Sequence, residues 1–179
     1  SIFIENNYAY ITTGSFEIID ITDPTNPTKV GNYTLEFGGF YDVCINENYA
    51  FIVNEGNNSV HILNIENPTN LTSIVEIYFT DLPFSPKINI NGNFIYIWSY
   101  SEVGEAWVMN IFDISDPTNP IKVGEYNDVG FESWSDIYIY DEYMFLKFEF
   151  SYNLIILDIS DPANLIKVGE YSDWYIDGE

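Results

Sequence analysis

The feature that most constrains this 179-residue chain is internal repetition: three short markers recur four times, always in the same order. The most legible runs Asp20-Ile-Thr-Asp-Pro-Thr-Asn-Pro27 and returns as Asn64-Ile-Glu-Asn-Pro-Thr-Asn-Leu71, Asp113-Ile-Ser-Asp-Pro-Thr-Asn-Pro120 and Asp158-Ile-Ser-Asp-Pro-Ala-Asn-Leu165. Its steps are 44, 49 and 45 residues. Upstream of each stands an apolar marker: Tyr8-Ala-Tyr-Ile11, Tyr49-Ala-Phe-Ile52, Phe94-Ile-Tyr-Ile97 and Tyr143-Met-Phe-Leu146. Downstream come Lys29-Val-Gly-Asn-Tyr33, Lys122-Val-Gly-Glu-Tyr126 and Lys167-Val-Gly-Glu-Tyr171, with a drifted Ser73-Ile-Val-Glu-Ile77 in the second unit. Such a pattern requires a fold made of equivalent units.

Each unit reads as four short strands. In the second unit they are Asp42 to Asn46, Tyr49 to Asn54, Ser59 to Ile65, and about Thr72 to Phe79. Apolar residues alternate along them, and β-branched and aromatic types dominate, as half-buried strands require. Tight polar turns such as Glu47-Asn48 and Asn91-Gly92-Asn93 join strands A and B. The Asp-Pro-Thr-Asn element joins C to D: its Asp or Asn bonds an amide two residues on, and Pro halts strand C. One four-stranded unit cannot bury both of its faces, whereas radial stacking buries them all. The expected fold is all-β: a β-propeller array of four four-stranded antiparallel blades, at about 1–41, 42–86, 87–135 and 136–179.

The Asp-Ile-Ser-Asp-Pro-Thr-Asn-Pro and Val-Gly-Glu-Tyr elements, with Tyr-Ala-Tyr-Ile upstream, resemble the LVIVD-type propeller repeat across essentially the whole chain. The resemblance implies a β-propeller of the kind found in bacterial and archaeal surface or secreted proteins. That family is defined by its repeat and carries no catalytic residues over to this chain. The second unit departs furthest, through Asn64, Leu71 and the lost Val-Gly. In-register ends and the absence of an initiator Met lead us to expect further blades of the same polypeptide.

Composition narrows the partners. With no Arg, five Lys and a formal net charge of −23, the chain offers no clustered positive charge for phosphate, which excludes nucleic acid. No apolar run reaches the roughly 20 residues of a membrane span, so no transmembrane helix is expected. The acidity suits an extracellular or cell-surface setting and favours cationic partners or divalent ions. The sequons at Asn32, Asn57 and Asn70 are glycosylation acceptors in a host that uses them.

The repeats act as internal controls. Ile2, Val43, Ile88 and Ile137 form one constant column and Ile4, Ile45, Ile90 and Ile139 another; both are expected in the core. His61 falls in a variable column with Glu17, Asn110 and Ile155, and is expected at a surface or groove. Cys44 reads as a packed free thiol, because no base is positioned to activate it. The acids Asp20, Asp23, Asp113, Asp116, Asp158 and Asp161 are the candidates for calcium, yet their spacing matches no known calcium loop and turn chemistry explains them. No other cofactor is indicated.

Binding is expected on the face shared by the D–A and B–C connections, where aromatic and acidic groups mix. The candidates are Phe40, Tyr41, Phe84, Glu102, Glu105, Trp107, Phe131, Glu132, Trp134 and Trp174. These observations point to a non-catalytic cell-surface or secreted interaction, adhesion or assembly module whose partner is a protein or a carbohydrate. Two other readings stay open: a glycan hydrolase or lyase using carboxylates of that face, and a calcium-stabilised structural array.

Overall fold

The computed structural model describes residues 1–35, 38–54, 56, 58–79, 86–101, 106–128, 134–148 and 153–172. These form four antiparallel four-stranded sheets in the arrangement of propeller blades. Blade 1 comprises β1 (Ile2–Glu5), β2 (Tyr8–Thr12), β3 (Phe16–Asp20) and β4 (Thr28–Tyr33). Blade 2 comprises β5 (Phe40–Asn46), β6 (Tyr49–Asn54), β7 (Ser59–Asn64) and β8 (Thr72–Tyr78). Blade 3 is β9 (Lys87–Asn91), β10 (Phe94–Ser101), β11 (Ala106–Asp113) and β12 (Ile121–Asp128). Blade 4 is β13 (Trp134–Tyr140), β14 (Tyr143–Phe148), β15 (Leu154–Asp158) and β16 (Ile166–Tyr171). Strands pair strictly in chain order within each blade, and the blades follow one another so that β1 packs on β5, β5 on β9 and β9 on β13.

Local chemistry repeats with the sequence. At each A–B turn the same position takes a left-handed backbone: Asn6, Glu47, Gly92 and Asp141 have φ of 53°, 52°, 56° and 52°. That twist suits a tight hairpin. At each C–D turn the first acid or amide of the marker caps the chain two residues on. Asp20, Asn64, Asp113 and Asp158 accept from the amides of Thr22, Glu66, Ser115 and Ser160 at 2.8–2.9 Å. Asp23, Asn67, Asp116 and Asp161 likewise accept from the amides of Thr25, Thr69, Thr118 and Ala163 at 3.0–3.1 Å. Only an acceptor oxygen is needed, which is why Asn serves in the second unit. A bulge recurs in every C–D pairing, skipping Val30, Ile74, Val123 and Val168.

Three apolar clusters hold the blades together, one at each joint. Tyr10, Phe16 and Ile18 of blade 1 meet Val43, Ile45, Ile52 and Leu63 of blade 2. Cys44, Phe51, Val60 and Ile62 of blade 2 meet Ile88, Ile95, Ile97 and Phe112 of blade 3. Tyr96, Trp98, Met109 and Ile111 of blade 3 meet Met144, Leu146, Ile155 and Leu157 of blade 4. The Val-Gly marker belongs to the same joints. A Cβ built on Gly31 falls 2.2 Å from the Pro68 carbonyl of blade 2, and one on Gly124 falls 2.2 Å from the Pro162 carbonyl of blade 4. Glycine is therefore required there for close approach of the next blade's turn.

Two expectations need correction. Ile2 and Ile4 are each 61% exposed although Val43, Ile45 and Ile88 of the same columns are buried. Those columns face the preceding blade, and blade 1 is the first along this sequence. His61 is 1% exposed rather than at a surface or groove. An interior blade packs on both faces, so both alternating sets of β7 go inside.

Candidate functional site

Strand A of each blade contributes to a central groove of about 740 Å³. The residue just before the constant Ile/Val column is the informative one: Ser1, Asp42, Lys87 and Asp136 stand there in turn, and all line the groove. Tyr41 lies at a bulge in the pairing of β5 with β6, between Phe40 and Asp42. Such a bulge re-aims a side chain. The Lys87 ammonium lies 5.6 Å from the centre of the Tyr41 ring, a cation–π distance. Trp98 and Trp107, from β10 and β11, complete the aromatic wall, while Asn89 adds an amide.

The charged groups differ in freedom. Asp42 is buried and its Oδ2 accepts from the Ile88 amide of blade 3 at 3.0 Å, so it fastens a joint. Asp136 is exposed, and its Oδ1 accepts from its neighbour Ile137 at 3.0 Å. Lys87 is exposed at the groove wall. Cys44 also lines the groove, but burial, reinforced by the nearby Asp42 charge, holds its thiol well above its usual pKa. It is therefore a neutral packed thiol and no ready nucleophile.

His61 stands apart from the groove lining, inside blade 2. Its ring meets Phe40 edge-on at 5.6 Å between centroids. Its Nδ1 lies 3.4 Å from Glu76 Oε1, within ion-pair range yet without hydrogen-bond alignment. Burial lowers its pKa, and the Glu76 charge opposes that shift.

Of the residues expected to bind, Tyr41 and Trp107 line the groove. Phe40 is 5% exposed and packs against Tyr33 and His61, a joint residue. Trp134 opens β13 at the D–A end of blade 4. Phe84, Glu102, Glu105, Phe131, Glu132 and Trp174 lie outside the described residues. The six turn acids sit at the opposite, C–D end, each accepting hydrogen bonds within its own turn. The hydroxyls of Thr22 and Thr25, with their amides, lower the pKa of Asp20 and Asp23, as Thr118 and Ser160 do for Asp116 and Asp158. Among the described residues no group of three or more His, Cys, Asp or Glu side chains gathers to hold a metal ion. Lys87 and Trp98 were missed by sequence reasoning. The signal for Lys87 was the variable column immediately ahead of a constant one.

Solved structures share this arrangement at low identity. A protein of Bacteroides fragilis provisionally named 6-phosphogluconolactonase aligns with a TM-score of 0.75 at 14% identity, over 96% of this chain and 54% of its own. A protein of Lactobacillus plantarum aligns at 0.74 and 10%, over 93% and 54%. The periplasmic gluconolactonase of Pseudomonas aeruginosa aligns at 0.71 and 11%, over 96% and 53%. This chain thus spans about half the length of these propellers, and the likeness concerns the fold. No curated protein matches the sequence. The model of the LVIVD repeat matches four times, over residues 1–35, 38–80, 85–128 and 133–173, and the chain belongs to the LVIVD repeat family.

Proposed function

We propose that this chain is a non-catalytic interaction module of the cell exterior that holds a carbohydrate in the central groove. One observation carries the reading: aromatic rings (Tyr41, Trp107) and polar groups (Lys87, Asn89, Asp136) share a groove of about 740 Å³. Rings that stack on apolar sugar faces, beside donors and acceptors for hydroxyls, are what such a ligand requires, and the volume suits a few sugar units. The acidity of the chain supports an exterior setting. Asp42 is committed to a backbone amide and the Cys44 thiol is neutral, which favours holding over transforming.

Titration calorimetry against a panel of neutral and acidic oligosaccharides tests this. Binding is expected, weakened at least about tenfold by Trp107→Ala with the circular dichroism unchanged. Failure of every glycan to bind would refute it. The gluconolactonase names among the fold's relatives favour a second reading, hydrolysis of a sugar lactone. Lactone turnover abolished by Asp136→Asn would establish that one instead.

A further inference from the structure

Lysine is scarce in this chain, five against 28 acids, and most of it is used in one way. Lys29, Lys122 and Lys167 each pair with a glutamate, Glu17, Glu125 and Glu170, at 2.6–3.2 Å. Lys87 departs from that habit. Its ammonium lies over the Tyr41 ring, with no carboxylate of the described residues within ion-pair distance. Lys147, the fifth, stands outside the groove lining, so Lys87 is the cation of the groove.

The ring beside Lys87 is set by three consecutive blades. Tyr41 is the extra residue of the β5–β6 bulge in blade 2. Its carbonyl accepts from the Thr12 hydroxyl of blade 1 at 3.2 Å, and Thr12 is only 5% exposed. The next residue, Asp42, accepts from the amide of Ile88 in blade 3, immediately after Lys87. The same bond occupies the Asp42 carboxylate, and the other acid of the groove, Asp136, accepts from the Ile137 amide at 3.0 Å. An aromatic face attracts an ammonium without neutralising it, so the Lys87 charge stays available to a ligand. Lysine offers a compact point charge, which suits one small anionic group.

We propose that the oligosaccharide of the groove is an acidic one, whose singly charged group, a uronate carboxylate or a sulfate ester, is bound by the Lys87 ammonium beside Tyr41. This rests on the carbohydrate reading above and specifies its ligand. A charge-assisted hydrogen bond is roughly twice as strong as a neutral one, which sets an acidic sugar above its neutral counterpart. The net charge of −23 opposes an anion at long range. At physiological ionic strength that field is screened beyond about 8 Å, whereas the Lys87 contact acts at bonding distance.

Titration calorimetry at physiological ionic strength decides it, using uronic-acid oligosaccharides of several linkages, their carboxyl-reduced neutral forms, and sulfated derivatives of those neutral forms. One acidic class is expected to bind at least about tenfold more tightly than the neutral forms, and which class does so identifies the charged group. Lys87→Met should abolish that preference and Lys87→Arg should keep it, with circular dichroism unchanged in both. Lys122→Met removes the same charge from the Glu125 pair on β12 and should keep the preference. Neutral forms that bind as well as the acidic ones overturn the proposal and leave the carbohydrate reading standing. A preference that survives Lys87→Met, or that Lys122→Met abolishes, overturns it too. Failure of every form to bind overturns the carbohydrate reading, and the proposal with it.

Discussion

Replacing His61 with Leu should stabilise the protein at pH 8, and the gain should grow as the pH falls. The ring is 1% exposed, and neither nitrogen makes a hydrogen bond. A buried polar group left so costs about 1–3 kcal/mol. Leu loses the edge contact with Phe40 and the 3.4 Å approach to Glu76, which returns part of that gain. The repeat vouches for the fit, since Ile155 holds the same position in blade 4 and is fully buried. The net expectation is a gain of about 1 kcal/mol at pH 8. The pH term follows from the lowered pKa. The unfolded chain takes up a proton near 6.5 while the folded chain resists, so the wild-type contribution is complete above 6.5 and declines below it. One proton limits the slope to about 1.4 kcal/mol per pH unit. Urea unfolding of both proteins at pH 8 and pH 5.5, compared as a difference, cancels the common effect of the many carboxylates. A variant less stable than wild type at pH 8, or a gap that fails to widen at pH 5.5, would refute the reasoning.

Other consequences are separable. Gly124→Ala sets a Cβ 2.2 Å from the Pro162 carbonyl, where ordinary contact begins at 3.4 Å, and should cost about 1–3 kcal/mol in urea unfolding. Gly169→Ala, whose Cβ has Ile156 side-chain atoms of its own blade as its nearest contacts at 3.3–3.6 Å, should change stability by less than about 1 kcal/mol; equal losses would sink the cradle argument. In the C–D turn, Asp116→Ala should lower the thermal midpoint and Asp116→Asn should lower it less, as Asn67 already performs that role. The lowered pKa of Asp116 places its contribution above its unfolded value of 3.8, to be lost as the pH falls through the folded value.

Much of the fold was legible because its determinants are local. Turn acids, the Pro that halts strand C and the period-two alternation act within a few residues, so the strands of blade 2 differ from expectation only at their ends. The Gly of the Val-Gly marker was visible as a constant, but its reason was not, since the Pro68 carbonyl that requires it belongs to the next blade. His61 was misread for a related cause. A variable column ordinarily signals solvent, yet in an inner blade a column varies inside a joint when its partners vary with it. Phe40 likewise sits at the edge of an aromatic-rich connection and is drawn into the joint by Tyr33 and His61.

The groove column shows how such a scaffold separates stability from recognition. Asp42, Lys87 and Asp136 occupy one structural position, yet the first is buried on a neighbour's amide while the other two are exposed. The apolar cluster at each joint carries the packing, so the polar residue ahead of it is tied to the joint in blade 2 and exposed in blades 3 and 4. The side chain in that position is then free to differ from blade to blade, and its differences converge on one axis. A repeat protein with identical residues there would present a symmetric ring of like charges; this one sets a cation between two acids, beside a tyrosine turned inward by a bulge. Exchanging Lys87 for Asp should therefore leave the unfolding midpoint nearly unchanged while altering whatever the groove holds, and a large loss of stability would show that the column belongs to the scaffold after all.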